Sequence, residues 1–405
     1  MSRAIAAAVL IAALGYFVDI YDLILFSIVR VKSLRSIGVP EDQLLTSGAM
    51  LLKMQMRGML TGGVLWGVLG DKKGRLSVLF GSICLYSVAN IANGFVHSVE
   101  AYAWLRLLAG IGLAGELGAG ITLVSESMPR ESRGYGTMVV AGVGIFGGVA
   151  AGLIGDRFDW RTAYFVGGAM GLALLALRIG VFESGMYRRL EDEGGGAVAR
   201  GDFRLLFADR RRALKYLCSI LIGVPTWFVI GVLVTFSPEF AKALGITGAV
   251  NPAYAVLYLY LGCALGDFAS GGLSQGLRSR RKVALLFMLA VAALVALYLT
   301  DRGGSLNGFY ALCFALGFAS GYWAIFVTMA SEQFGTNVRA TVTTTVPNFV
   351  RGSLDPMLSC FQFLKARVGI LAGAGALGGI VLALAVVALA LLDETYGKDL
   401  DYLER

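Results

Sequence analysis

The long uncharged stretches of the chain constrain its fold more than any other feature. Residues 78–96 and 369–392 contain no charged side chain, and each stretch exceeds the roughly 18 apolar residues that suggest a membrane-spanning helix. Only 15% of the 405 residues are charged and 57% are hydrophobic, whereas a soluble protein has about 25% charged residues. The sequence therefore predicts an all-α membrane protein with several spans.

Apolar segments recur along the whole chain, and we predict twelve transmembrane helices. Their approximate limits are 6–30, 44–69, 76–96, 101–124, 135–155, 161–182, 213–241, 252–275, 282–300, 307–330, 340–364 and 369–392. The longest polar interruption follows the sixth segment. It divides the chain into a six-helix half at 1–182, a cytoplasmic linker at 183–212 and a second six-helix half at 213–405.

Basic residues predict the orientation, because cytoplasmic loops carry an excess of Lys and Arg. With the N-terminus inside, "DKKGR" at 71–75 and "RSRRK" at 278–282 lie in cytoplasmic loops. The outside loops have fewer basic residues, such as Arg30, Lys32 and Arg35. Both termini are then cytoplasmic, and the net charge of +8 reflects topology. It does not indicate a nucleic-acid partner, since no recognition motif accompanies it.

The two predicted halves resemble each other at the inner face. Glu126 and Arg133 follow the fourth span, and Glu332 and Arg339 follow the tenth, with seven residues separating the members of each pair. Parallel repeats of this kind are typical of transporters built from two related halves.

Several motifs resemble those of the major facilitator superfamily. The stretch "GGVLWGVLGDKKGR" at 62–75 resembles the family's signature loop between helices two and three, "RLLAGIGLAGELGAG" at 106–120 its helix-four pattern, and "DWRTAYFVGG" at 159–168 its entry to helix six. The resemblance implies a twelve-helix fold of two pseudo-symmetric six-helix halves. It also implies that a set of residues gates the transporter. These gating residues are Gly63, Gly67, Asp71, Gly74, Arg75, Glu126, Arg133, Glu332 and Arg339. For Glu126, Arg133, Glu332 and Arg339, the alternative interpretation is that they are charges that solvate helix ends.

Two further motifs point to branches of that superfamily. "DIYD" at 19–22 is similar to the D-x-Y-D of phosphate:proton and aromatic-acid:proton symporters, and "AGELGAGITLVSESMP" at 114–129 looks more like metabolite:proton symporters. The second-half copy of the signature loop departs from the pattern, with Gln275 where Asp is commoner.

Basic side chains inside the predicted spans suggest an anion site. Lys53 and Arg57 lie one turn apart in the second span, and Arg351 lies near the middle of the eleventh. Charges within a membrane usually face a polar cavity or each other, and Arg can bind a carboxylate or phosphate through two parallel hydrogen bonds. We predict these three residues as substrate ligands. The alternative is that Asp19 or Asp22 pairs with Lys53 or Arg57 and locks the first two helices together.

Acidic side chains in the spans are candidates for proton coupling. Asp19 and Asp22 share one face of the first helix, and Glu116 lies in the fourth span together with Arg106. A carboxylate that alternates between an apolar environment and a neighbouring Arg can load and release a proton. We rank the two aspartates before Glu116. His97, the single histidine, falls in a predicted outside loop and is a poor internal carrier.

The sequence thus predicts a secondary transporter that moves a small anionic metabolite by proton-coupled alternating access. Alternatives are a proton-coupled exporter of drugs or metabolites and a non-transporting receptor or scaffold. We expect no enzymatic activity, no metal and no cofactor other than the coupling protons. We also expect a monomer in a bacterial-type inner membrane. Its partners would be the anionic substrate and the lipid bilayer.

Overall fold

A computed structural model describes residues 3–73, 75–116, 133–183 and 203–397 of the chain. Within these ranges the regular structure is helical, and the one β feature is an isolated bridge between Thr247 and Ser305. The described ranges include residues from each of the twelve predicted spans, so the helical fold can be compared with the prediction segment by segment.

The first six helices match the first six predicted spans in order. They are α1 (Arg3–Ser36), α2 (Leu44–Lys73), α3 (Arg75–Asn93), α4 (Val99–Leu113), α5 (Arg133–Arg157) and α6 (Trp160–Glu183). Because α1 continues to Ser36, the prediction that Arg30, Lys32 and Arg35 lie in a loop was wrong: all three lie on the helix. We call the end of the bundle that carries Ser36, Asn93 and Trp160 the outer end, following the predicted orientation.

The remaining segments are more fragmented than the sequence suggested. They are α7 (Arg210–Leu221), α8 (Val224–Phe228), a π-helical turn (Val229–Val234), α9 (Ser237–Leu244), α10 (Pro252–Gly276), α11 (Arg280–Thr300), α12 (Leu306–Ser320), α13 (Trp323–Glu332), α14 (Thr336–Gly352), α15 (Leu354–Val368) and α16 (Ile370–Leu391).

Three predicted spans, the seventh, the tenth and the eleventh, are therefore runs of shorter helices. Proline occupies the first turn of both α8 and α9, where its missing N–H is tolerated. The tenth span is interrupted between α12 and α13, and the eleventh between α14 and α15. Breaks at membrane depth occur where the backbone is buried in protein or lines a cavity.

Seven described helices or helix runs are long and apolar enough to cross a membrane. They are Val9–Ser36, Trp160–Ile179, Arg210–Val234, Pro252–Gly276, Arg280–Thr300, Leu306–Glu332 and Ile370–Leu391. Helices α2 and α14 are outside this set. Both carry charged side chains, Lys53 and Arg57 in the middle part of α2 and Arg351 in the last turn of α14, as helices that line a polar site do.

Glycines let the helices approach closely. A Cβ added to Gly58 of α2 would collide with the backbone of Leu107 on α4, and one added to Gly262 of α10 would collide with the backbone of Phe314 on α12. Such small-residue contacts drive helix association in membranes. Across the middle of the bundle, α5 packs on α10, α2 packs on α14, and α1 reaches α10. These crossings bring the charged side chains of α1, α2 and α14 toward one another.

Candidate transport site

An ion pair joins α1 to α14 in the middle of the bundle. The Arg351 Nη1 atom donates to Asp19 Oδ2 at 3.4 Å, and the side chains are 1% and 0% exposed, respectively. The other Asp19 oxygen and Arg351 Nε have no hydrogen-bond partner among the described residues. Buried charges need partners, and the Nε donor of the guanidinium is available to a ligand.

Aromatic side chains surround this pair. Tyr16, one turn before Asp19, and Tyr260 on α10 are both buried, and both lie within electrostatic reach of Asp19 and Arg351. Helix α5 contributes glycines here: Gly144 lies against the Tyr16 ring and Gly148 against the Tyr260 ring. The surroundings of the pair therefore combine a fixed positive charge with aromatic surface.

A second acid of this region, Asp267, was missed by the sequence analysis. Its Oδ1 atom accepts a hydrogen bond from the backbone N–H of Ala324 at 3.1 Å, in the first turn of α13. It therefore satisfies a backbone N–H exposed by the break before α13. The sequence did contain a signal, because Asp267 is an acid inside the apolar segment 252–275. The argument that made Asp19 and Asp22 site candidates applies to it equally.

Asp22 faces the other way, into the first six helices. It is fully buried, and neither of its carboxylate oxygens has a hydrogen-bond partner among the described residues. Arg106 of α4 is the positive charge that acts on it. The Arg106 guanidinium donates to Gln55 of α2 and lies 5.1 Å from the ring centre of Phe26. Asp22 and Arg106, both candidates for proton coupling, thus lie within electrostatic reach of each other.

Glu116 is paired differently from the other acids. Arg178 of α6 binds both of its oxygens, through Nη1 to Oε2 at 3.1 Å and through Nη2 to Oε1. Both residues are buried, and Gly15 of α1 covers the pair, since an added Cβ would collide with both side chains. Arg178 was not predicted, because it lies near the inner end of the sixth span, where a basic residue reads as a topology signal.

The two bases of α2 are not the partners of the aspartates. Arg57 binds Asp355 of α15 through Nε at 2.8 Å and Nη2 at 3.4 Å, and its side chain is 52% exposed. Lys53 is partly buried and forms no hydrogen bond or ion pair with the described part of the chain. The alternative in which Asp19 or Asp22 pairs with Lys53 or Arg57 is therefore wrong.

Only some of the predicted gating residues can be placed. Gly63 faces Asn348 of α14, whose Nδ2 donates to the carbonyl of Ala114 at 2.8 Å. Glu332 pairs with Arg280 at 3.3 Å. Gly74 and Glu126 lie outside the described residues. Five more positions fall within helices whose side chains lie outside the described part at those points, namely Gly67, Asp71, Arg75, Arg133 and Arg339.

Polar contacts close the outer end of the bundle. Buried Arg30 binds Glu239 of α9 at 2.7 Å and donates to the carbonyls of Leu44 and Thr235 at 3.1 and 3.3 Å. Ser27 and Thr235 are joined by a 2.9 Å hydrogen bond. We call the set Ser27, Arg30, Thr235 and Glu239 the outer latch. It contains Arg30, which the sequence analysis assigned to an outside loop.

The bundle therefore has buried charges paired across its centre and polar contacts between α1 and α9 at its outer end. These features define a membrane transporter with a central polar site. The chain belongs to the major facilitator superfamily, whose family model matches residues 4–352. The predicted fold class, with twelve transmembrane helices, is confirmed, and a protein of this family is a transporter and not an enzyme.

Relatives and solved structures agree with this assignment. The chain is 28% identical over 344 residues to a 3-(3-hydroxy-phenyl)propionate transporter of Escherichia coli (strain K12), covering 82% of each chain. It is 26% identical to a gentisate transporter of Corynebacterium glutamicum, covering 72% of this chain and 68% of the relative. Its fold matches a crystal structure of a D-xylose-proton symporter with a TM-score of 0.71 at 16% identity, covering 97% and 99% of the two chains.

Proposed function

We propose that this protein moves a small aromatic carboxylate across a bacterial-type inner membrane together with protons. The observation that carries the proposal is the buried Arg351–Asp19 pair, in which the guanidinium and the carboxylate are joined by a long 3.4 Å contact. A guanidinium prefers a bidentate carboxylate, so a substrate carboxylate can take a better position on Arg351 than Asp19 does.

Proton coupling follows from competition for Arg351. A proton bound to Asp19 removes the negative charge that holds Arg351, which favours substrate entry. Loss of that proton restores the internal pair and favours substrate release. A ligand shifts such an equilibrium only by its differential affinity for the two states. The proton and the substrate carboxylate therefore support each other's binding without touching.

Two observations support an aromatic carboxylate as the substrate: the side chains beside Arg351 and the names of the relatives. Tyr16 and Tyr260 offer aromatic surface beside Arg351, and aromatic rings stack with a preference worth about 0.5–1.5 kcal/mol beyond area burial. The relatives named above are described as transporters of gentisate and of 3-(3-hydroxy-phenyl)propionate, and both compounds are aromatic carboxylates. Lys53 adds positive charge on α2, in keeping with its predicted role.

Asp22 is the second titrating group in this proposal. It lies three residues from Asp19 on α1 and faces Arg106, so it can hold a proton inside the first six helices while Asp19 exchanges with substrate. Glu116 ranks below both aspartates because Arg178 already holds it with two contacts. We also propose that both termini are cytoplasmic, which the basic-residue bias supports.

Purified protein in liposomes tests the proposal with radiolabelled gentisate, 3-(3-hydroxyphenyl)propionate and nicotinate as probes. We expect accumulation of at least one probe when the pH is lower outside than inside, and little without the gradient. Arg351→Gln should reduce the uptake rate about 30-fold, since hydrogen bonds to a charged group contribute about 2 kcal/mol. Asp19→Asn should abolish gradient-driven accumulation while labelled and unlabelled probe still exchange.

Arg302→Gln is the matched control for Arg351→Gln, because Arg302 is an exposed residue of the turn before α12. Its uptake should equal that of the unaltered protein. The proposal fails if none of the three carboxylates accumulates, or if Arg351→Gln transports at the control rate. Accumulation that needs the opposite gradient would identify an exporter.

A further inference from the structure

Helix α3 carries a row of buried polar side chains that the transport site does not use. Ser87, Asn90 and Asn93 are each 0% exposed, and so is Tyr86. The Ser87 and Tyr86 hydroxyls and both amide atoms of Asn93 have no hydrogen-bond partner among the described residues, and the Asn90 amide lies beside Asp22. Buried polar groups are nearly always satisfied by protein or by ordered water, so this concentration on one helix requires an explanation.

The row runs from the outer end of the bundle to the acids. Tyr86, Asn90 and Asn93 follow i, i+4, i+7 spacing and therefore share one face of α3. Asn93 is the last residue of α3, and Tyr86 lies about 10 Å deeper at 1.5 Å per residue. The charges of Asp22, Asp19 and Glu116 all act on Tyr86.

Helix α6 closes the other side of the row. A Cβ on Gly167 would collide with Asp22, and one on Gly171 would collide with Ser87. Asn90 lies within reach of Asp22. The row, Asp22 and the glycine face of α6 therefore meet along one seam where α1, α3 and α6 pack together, and we call this seam the α3 path.

The charged and titratable groups around Asp22 come from four helices, α1, α3, α4 and α6. Arg106 comes from α4 and Asp19 from α1 itself. Tyr21 of α1, Tyr86 of α3 and Tyr164 of α6 are within its electrostatic reach. Apart from Asp19, none of these is an acid, so a proton arriving along α3 meets Asp22 as its first carboxylate.

We propose that the α3 path holds a chain of water molecules that carries protons from the outer end to Asp22. A hydronium ion at the outer end gives a proton to the water beside Asn93. Each water along Asn90 and Ser87 forms one O–H bond to the arriving proton and breaks another to pass a proton on, and the last proton binds an Asp22 carboxylate oxygen. The amides act as positioning residues, each offering a donor and an acceptor to water. The proton role rests on the proposed function, whereas the presence of the water does not.

Hydroxyl-radical footprinting detects the water without any substrate. Radicals made by X-ray exposure oxidise buried side chains beside bound water, so Tyr86 should be oxidised several times more than Tyr298. Tyr298 is equally buried and donates to the carbonyl of Leu233. Asn90→Leu and Asn93→Leu should lower the oxidation of Tyr86 at least threefold. Val88→Leu, on the exposed face of α3, should leave it unchanged.

Transport assays then distinguish a role of Asn90 in proton transfer from a purely structural role. Asn90→Leu should slow gradient-driven gentisate uptake at least fivefold but keep gentisate counterflow within twofold, and Asn90→Ser should restore the driven rate. Equal oxidation of Tyr86 and Tyr298 would refute the water chain, and equal losses of uptake and counterflow would refute the proton role. If Tyr86 is strongly oxidised in the unaltered protein but no probe shows gradient-driven uptake, the proposed function fails and the water chain stands.

Discussion

At the scale of single residues, three acids in the first six helices have three different surroundings. Asp19 pairs with Arg351 of α14. Asp22 has no hydrogen-bond partner among the described residues. Glu116 is bound on both oxygens by Arg178. A carboxylate already held by two contacts from a buried Arg resists exchange. We therefore expect Glu116 to contribute mainly to stability, and we propose that the aspartates exchange protons.

The Glu116–Arg178 pair predicts a large stability effect. Replacing Glu116 with Gln leaves the charge of Arg178 without this carboxylate in a buried site, and breaking a buried pair costs about 3 kcal/mol or more. We expect a clearly lower melting temperature for Glu116→Gln, measured in detergent by size-exclusion chromatography after heating. Glu100→Gln is the control, because Glu100 is exposed in the first turn of α4. Equal melting temperatures would show that the pair is not a structural contact.

At the scale of helices, local sequence predicted the spans well but not their interruptions. Apolar runs decide where a helix crosses a membrane, and each predicted span has a counterpart in the described structure. The breaks between α12 and α13 and between α14 and α15 depend on contacts from elsewhere, such as Asp267 accepting from Ala324. Helix ends were also uncertain. The extension of α1 to Ser36 moved Arg30 from a predicted loop into a buried contact with α9.

The outer latch predicts a change in accessibility at the outer end. Glu239→Gln removes the only described carboxylate bound to Arg30, which is fully buried, so closure between α1 and α9 should weaken. In a variant whose native cysteines are replaced, Ser27→Cys should react with a membrane-impermeant maleimide at least fivefold faster when Glu239→Gln is added.

The exposed Arg35–Glu41 pair is the matched control at the same end of the bundle. Its side chains are 57% and 69% exposed, and exposed pairs contribute little. Glu41→Gln should therefore leave the labelling of Ser27→Cys within twofold of its starting rate. Equal acceleration by both substitutions would mean that the latch acts only through surface charge.

At the scale of the whole molecule, the sequence predicted which residues are charged within the membrane but not how they pair. Asp19 and Arg351 are 332 positions apart, and Arg57 and Asp355 are 298 apart. Several acids and bases lie at similar depths, so depth alone allows many combinations. The choice is made by helix rotation and by the packing of α2 against α14 and α15. Only a three-dimensional structure supplies that information.

Arg57 carries the last prediction, because two roles are open to it. The sequence analysis made it a substrate ligand, whereas its bidentate contact with Asp355 makes it a clamp between α2 and α15. A clamp requires opposite charges in either order, while a ligand for an anion requires a positive charge at position 57. We expect Arg57→Asp and Asp355→Arg each to reduce gentisate uptake severalfold, because each places like charges opposite one another. The double variant should return within about twofold of the original rate. A double variant as slow as Arg57→Asp alone would instead assign Arg57 to the substrate.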